Sequence, residues 1–240
     1  MNPIVNEFDQ PIGFAVLPWT PPPVPPHVPL QGRFCRVEPL TVAAHAADLY
    51  AANSTDRGRM WTYMGYGPFA NSEAYVAWMT RVCQGTDPLF YAIIDLATGK
   101  AVGVASYLRL DPANGVIEVG HIAYSPLLQR TPAATEAMYL LMNQVFDLGY
   151  RRSEWKCDSL NAPSRAAAQR LGFSFEGIFH QAVIYKGRNR DTAWYAITDK
   201  GWPAFHAAFA EWLDPANFDH QGQEQVALST LTRPLLQRQG

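Results

Sequence analysis

The sequence predicts a mixed α/β domain: a mostly antiparallel twisted sheet with one parallel, splayed strand pair, flanked by helices. Residues 89–124 hold three runs, LFYAIIDL, AVGVASYLRL and VIEVGHIAY, joined by ATGK and DPANG, which carry the Gly and Asp/Asn chemistry of hairpin turns. The third run passes through the polar turn Gln129-Arg130-Thr131-Pro132 into a helix with apolar residues at Ala134, Met138, Leu141, Met142 and Val145. A further strand at 152–158 follows that helix, and a strand-helix-strand crossover sets it parallel to 116–124.

The remaining elements fit around this unit. Residues 1–31 are a Pro-rich extended arm: WTPPPVPPHVPL fixes φ at position after position and lacks backbone donors, so it forms neither a helix nor an inner strand. Phe14, Val16, Leu17 and Trp19 suit an arm that packs on its own domain or on a second subunit. The domain proper, 32–200, starts with the strand RFCRVEPL, a helix capped by Thr41 and reaching about Ala52, an irregular aromatic stretch at 53–70, and a helix from Ser72 to about Cys83. After 152–158, NAPSRAAAQRLG reads as a helix capped by Asn161 and closed by Gly172. Two long strands then meet at the hairpin KGRNRD, and residues 201–240 hold a helix from Trp202 to Leu213 and a polar tail.

Composition narrows the function. With 48% apolar and 17% charged residues, the 240-residue chain can bury one sizeable core. A net charge of −2 argues against a broad electrostatic grip on nucleic acid or on an anionic membrane. Cys35, Cys83 and Cys157 are too widely spaced for a zinc ribbon or a disulfide framework, so no metal is expected and a reduced, cytoplasmic setting is. No apolar run approaches the roughly 20 residues that span a bilayer.

The strand-turn-helix at 118–149 carries the first chemical signal. Unpaired N–H groups at a helix start, backed by the positive end of the helix dipole, make an anion site suited to phosphate. A glycine at 120, inside the third strand, marks a bulge or a close backbone approach.

With three motifs, this order of elements resembles the GNAT superfamily of acetyl-CoA-dependent N-acetyltransferases, and within it the RimJ/RimL-like branch that acetylates ribosomal proteins. The first motif is the pyrophosphate turn, Q/R-x-x-G-x-G/A, matched by Gln129, Pro132 and Ala134, with proline in place of the first glycine. The resemblance assigns the CoA phosphates to Gln129, Arg130, Thr131, Pro132, Ala133, Ala134 and Thr135. Pro132 lacks an N–H, and the Thr135 hydroxyl is offered in its stead. The second motif is Asn161, Ser164 and Leu171-Gly172-Phe173. It implies that Asn161 and Ser164 help hold the pantetheine arm. The superfamily's tyrosine acid falls on Ala168, which leaves Ser164 as the acid. The third is Phe175-Glu176-Gly177 ahead of a long hairpin, where Val183 stands at a position that carries a carboxylate in some relatives. Backbone groups near Ile122, Ala123 and Tyr124 are implied to bind pantetheine and polarise the thioester.

Acetyl transfer to a primary amine requires a base, because an alkylammonium has a pKa of ~10.4. Glu118 comes first, since it lies eleven residues before Gln129, the spacing at which a related branch carries its base. His121 comes second because it titrates in the useful range; a regular pleat points it away from Glu118, and a bulge at Gly120 would change that parity. Glu154 and Asp158 follow. The expected partners are acetyl-CoA and a primary amine, either a protein α-amine or a small molecule, with homodimerisation through the arm left open. The alternatives are a catalytically weakened acyl-CoA-binding regulatory module and an assembly scaffold.

Overall fold

The computed structural model describes residues 4–240. The strands are β1 (Ile4–Val5), β2 (Pro11–Ile12), β3 (Leu30–Gln31), β4 (Cys35–Pro39), β5 (Leu89–Asp95), β6 (Lys100–Asp111), β7 (Val116–Tyr124), β8 (Arg152–Asp158), β9 (Ser174–Tyr185) and β10 (Arg188–Thr198). The α-helices are α1 (Val42–Asn53), α2 (Ser72–Val82), α3 (Pro132–Asp147), α4 (Ala162–Arg170), α5 (Trp202–Leu213) and α6 (Leu228–Thr232). β1 and β2 form a small separate hairpin, and the other eight strands make one sheet in the order β3-β4-β5-β6-β7-β8-β10-β9. Every pairing in it is antiparallel except β7 with β8.

Alternation along the strands sends side chains to two cores. One face of the sheet packs Ile117, Val119, Trp155, Tyr195 and Ile197 against Met138, Leu141 and Met142 of α3 and Phe205 and Phe209 of α5. The other packs Phe90, Ala92, Ile94 and Val104 against Leu49 of α1 and Trp78 and Met79 of α2. α1 and α2 lie on β4, β5 and β6, so the same face of β7, β8 and β10 is left for a site.

Local chemistry sets the helix ends. Thr131 caps α3 by accepting from the Ala134 N–H at 3.2 Å, Asn161 caps α4 by accepting from Ser164, and Gly149 follows α3 at a positive φ of 93°. Thr41 does stand at the start of α1, but its hydroxyl makes no cap bond; its N–H donates instead to the His45 ring at 3.0 Å. The last hairpin turns on Lys186 and Gly187 alone, both with positive φ, so Arg188 to Asp191 belong to β10.

The arm crosses the end of the sheet remote from the β7–α3 turn. Trp19 donates to the Ala113 carbonyl, Tyr91 donates to the Pro26 carbonyl, and Pro22 and Pro25 are buried. At the other terminus, Arg238 accepts through its carbonyl from Phe175, and Gln169 donates to the Gly240 carbonyl. Among the described residues no helix is long and apolar enough to cross a membrane, and no three His, Cys, Asp or Glu side chains converge as a metal-holding group.

The join between arm and domain rests on one carboxylate. Glu136, buried in α3, accepts from the backbone N–H groups of Arg33, Phe34 and Cys35 at 2.8, 2.7 and 2.9 Å. Glu136→Ala leaves these donors unpaired and is expected to cost roughly 3–5 kcal/mol, read as a lower urea midpoint with an unchanged m-value.

Candidate active site

The site grows from an irregularity in β7. Val104 faces Ala123 while Ser106 faces Gly120, so two steps along β6 match three along β7. That is a β-bulge, and His121 within it takes a left-handed φ of 49°. The bulge breaks the alternation of side chains, so His121 and Glu118 both approach Arg109 instead of pointing to opposite faces. This corrects the expectation from a regular pleat. A β-carbon on Gly120 would lie 2.9 Å from Leu108 Cδ2 and 3.2 Å from Glu118 Oε1, so glycine keeps room for the carboxylate.

The His121 ring stacks on Tyr66 at 5.6 Å between centroids and leans on Phe90 at 5.1 Å. Burial lowers its pKa, the Arg109 charge lowers it further, and Asp87 opposes both. The imidazole is therefore neutral at pH 7 and able to accept a proton.

Glu118 is 3% exposed and tightly engaged. Its Oε2 accepts from Arg109 Nη1 at 2.5 Å and from Lys156 Nζ at 3.1 Å. Lys156 also reaches Glu154 at 2.7 Å and sits 3.8 Å from the Trp194 ring centre. Arg152 continues the chain of alternating charge, donating to Glu154 at 2.6 Å and to both oxygens of Glu176 at 2.8 and 2.5 Å. Burial alone would raise the Glu154 pKa, but hydrogen bonds from Lys156 and Arg152 outweigh it and hold the carboxyl below its usual range. Asp158, at the end of β8, accepts from the Tyr185 hydroxyl at 2.8 Å and from the Leu160 N–H. The Tyr185 phenol is pushed up to about 12, first by burial and then by that bond.

Beside this network the sheet opens. β7 and β8 pair only from Val116–Arg152 to Glu118–Glu154, whereas β8 stays paired with β10 through Asp158. The edge of β7 from Val119 to Tyr124 thus faces a gap that leads to the start of α3. Ala123 is buried, Ile122 and Tyr124 are half-buried, and burial raises the Tyr124 phenol.

At the turn, the N–H groups of Arg130 and Ala133 have no hydrogen-bond partner among the described residues. The Ala134 N–H is taken by Thr131, and Pro132 has none. Gln129 is exposed, with its amide donating to the Tyr124 carbonyl at 2.7 Å. Thr135 is 2% exposed and accepts from Arg170 at 3.0 Å, so its hydroxyl lies in the core and not at the surface of the turn. The expectation that it replaces the missing donor of Pro132 therefore fails on burial.

On the other side of the gap, the Asn161 Oδ1 is used by its cap, while its Nδ2 has no partner among the described residues. Ser164 Oγ accepts from Trp155 Nε1 at 3.0 Å. Ala168 is fully buried in the α3-side core. Two contacts bridge the cleft: Lys186 Nζ donates to the Trp61 carbonyl at 2.7 Å, and the Tyr63 hydroxyl donates to the Leu160 carbonyl at 3.2 Å.

Sequence reasoning missed Arg109, Lys156, Tyr185 and the Asp158–Tyr185 bond. Lys156 was legible in part, since it lies two residues after Glu154 on one strand and shares its face. Arg109 was not, because its reach to Glu118 depends on an irregularity between Leu108 and Asp111.

A mixed sheet splayed at its one parallel pair, with a helix starting at the mouth of the gap, defines an acyl-CoA-dependent N-acyltransferase fold. The family model described as "Acetyltransferase (GNAT) domain" matches residues 36–174, and the chain belongs to this acetyltransferase family. It is therefore an acyltransferase enzyme. A GCN5-related N-acetyltransferase from Brucella melitensis is 47% identical, with a TM-score of 0.89 over 91% of this chain and 100% of that one. A probable GNAT-family acetyltransferase from Chromobacterium violaceum is 37% identical, with a TM-score of 0.76 over 81% of this chain and 98% of that one. The Salmonella typhimurium acetyl transferase that modifies the N-terminal serine of ribosomal protein L7/L12 is 20% identical, with a TM-score of 0.60 over 70% of this chain and 96% of that one; this likeness extends to the fold alone. Comparison with curated proteins gives no match.

Lys156→Met removes the cation between Glu118 and Glu154 and leaves two buried carboxylates facing each other. A loss of roughly 3–5 kcal/mol is expected from denaturant unfolding, with part of it recovered in the double variant Lys156→Met/Glu154→Gln.

Proposed function

We propose that this chain transfers the acetyl group of acetyl-CoA to a primary amine, with His121 taking the proton from the acceptor ammonium and Glu118 held beside it as a fixed anion. The bulge at His121 carries this reading. It brings a neutral imidazole onto the face of Glu118 where the pairing of β7 with β8 ends.

Family membership supports the donor, since GNAT acetyltransferases take their acetyl group from acetyl-CoA. The free N–H groups of Arg130 and Ala133 suit its pyrophosphate. The open edge at Ile122, Ala123 and Tyr124 and the free amide of Asn161 suit the pantetheine arm. When bound, the donor supplies an activated thioester.

An alkylammonium with a pKa of ~10.4 must lose a proton before it attacks. His121 is ready for it, being uncharged at pH 7. Glu118 is already engaged, its Oε2 accepting from both Arg109 and Lys156. Ser164 suits the acid role: Trp155 fixes its oxygen in the first turn of α4, and its hydroxyl also lies within hydrogen-bonding reach of the Cys157 thiol. That serine, with the buried Ala168 in the tyrosine position, is the feature that favours a RimJ/RimL-like member of the family. A protein α-amine and a small amine both suit the cleft, and a cytoplasmic setting suits the three free cysteines.

The test is thiol release from acetyl-CoA over a panel of peptides with free α-amines, polyamines, amino sugars and aminoacyl nucleotides. Acetyl-CoA binding with no thiol released by any of them would favour the binding-module reading. Protonation of His121 removes the base, so kcat/KM should fall as pH drops through a pKa below the ordinary 6.5. His121→Asn should abolish that limb and lower kcat/KM by roughly 10²–10⁴-fold; an unaltered profile would return the role to Glu118. Pro132→Gly restores a backbone donor in the turn and should tighten acetyl-CoA binding by roughly 5-fold, about 1 kcal/mol, measured by calorimetry.

A further inference from the structure

Nine of the nineteen exposed large apolar side chains among the described residues lie between Ile4 and Val28, so the arm concentrates apolar surface that its own domain does not cover. The β1–β2 hairpin holds four of these nine. Ile4, Val5 and Ile12 are 47%, 53% and 47% exposed and Phe8 is 71% exposed. Its hydrogen bonds among the described residues are all internal, running between Asn6, Phe8, Asp9 and Gln10 and along the two short strands. A lone two-stranded hairpin is marginal in water, so this one needs a surface to lie on. Gly13, with open space around it, joins the hairpin to the docked part of the arm.

That docked part begins at Phe14, whose ring lies 3.5 Å from Lys200 Nζ. Lys200 is also on the rim of a groove of about 590 Å³ between the start of β9, the end of β10, α5 and the C-terminal segment. Phe175, Ile197, Ala204, Phe205 and Leu235 give it an apolar lining; Lys200 and Arg238 supply its cations, and Glu176, the acidic member of the lining, already has both oxygens held by Arg152. The hairpin carries the opposite charge, with Glu7 and Asp9 beside Phe8.

We propose that the hairpin at residues 4–12 is an exchange arm that seats in this groove of a second copy of the chain, forming a two-fold dimer. Phe8 fills the apolar floor, and Glu7 and Asp9 meet Lys200 and Arg238. Because the arm leaves its own domain at the groove's rim, a two-fold axis near Lys200 brings the partner's groove within the hairpin's reach of about 15 Å. Each copy gives one hairpin and receives one, so the contact closes without exposing a further groove.

Analytical ultracentrifugation tests this directly. The full chain should sediment at twice its mass of 26.7 kDa. Phe8→Asp, in the hairpin, and Ala204→Glu, in the groove, should each give the monomer. An equimolar mixture of the two variants should recover dimer, since a mixed pair keeps one intact hairpin and one intact groove. Neither substitution touches the core, because both side chains are exposed. A double variant, Phe8→Cys/Ala204→Cys, should oxidise to a dimer-sized species on a non-reducing gel. A wild-type monomer, a dimer indifferent to both substitutions, a mixture that stays monomeric, or a disulfide closed within one chain would each overturn the proposal.

Discussion

Everything in the site depends on the point at which β7 and β8 stop pairing. Two parallel strands that are bridged at three residue pairs and then separate leave backbone groups facing a gap, which is costly in a protein interior unless something holds the gap open and something else occupies it. On one face the holding is electrostatic. Glu118 and Glu154 are the last paired residues, and Lys156 ties them together. Arg109 and Arg152 extend the tie to either side, so charge alternates across neighbouring strands. Buried ion pairs of this kind contribute little net stability against apolar packing, yet they fix geometry, because no other arrangement satisfies all members.

The opposite face is held by packing. Trp155 and Cys157 of β8 point into the core beneath α3 and α4, and the Trp155 indole anchors Ser164 at the start of α4. One strand therefore orients the carboxylate-lysine network on one side and the first turn of α4 on the other, by simple alternation of its side chains. The bulge at His121 adds a third device. It spends a left-handed φ at a non-glycine residue to bring an imidazole onto the charged face, where burial beside Tyr66 and Phe90, and after it the Arg109 charge, lower its pKa.

The two termini frame the sheet differently. The arm covers one end with prolines and Trp19, and the C-terminal segment closes the start of β9 through backbone bonds to Phe175. The hairpin before Gly13 leaves Ile4, Val5, Phe8 and Ile12 exposed. The cleft, by contrast, is bridged by Lys186 and Tyr63, which tie the tip of the last hairpin and the start of α4 to the aromatic stretch.

Element order was legible in the residues because it rests on local physics. Hairpin turns at 97–100 and 111–115, the helix cap at Asn161, and the change of period after Gln129 all act within a few positions of chain. The parallel pair followed from crossover geometry, and the family followed from three short motifs. What local reasoning could not supply was anything decided by partners far apart. The burial of Thr135 beneath Arg170 and the grip of Arg109 and Lys156 on Glu118 join residues up to 38 positions apart on separate elements. The parity of His121 depends on one extra residue in β7, chosen by the register of β6 against it. A glycine at 120 advertised a bulge and the change of parity it would bring, but not whether the bulge forms, because alternation along a strand is a local rule while register is settled only when strands meet.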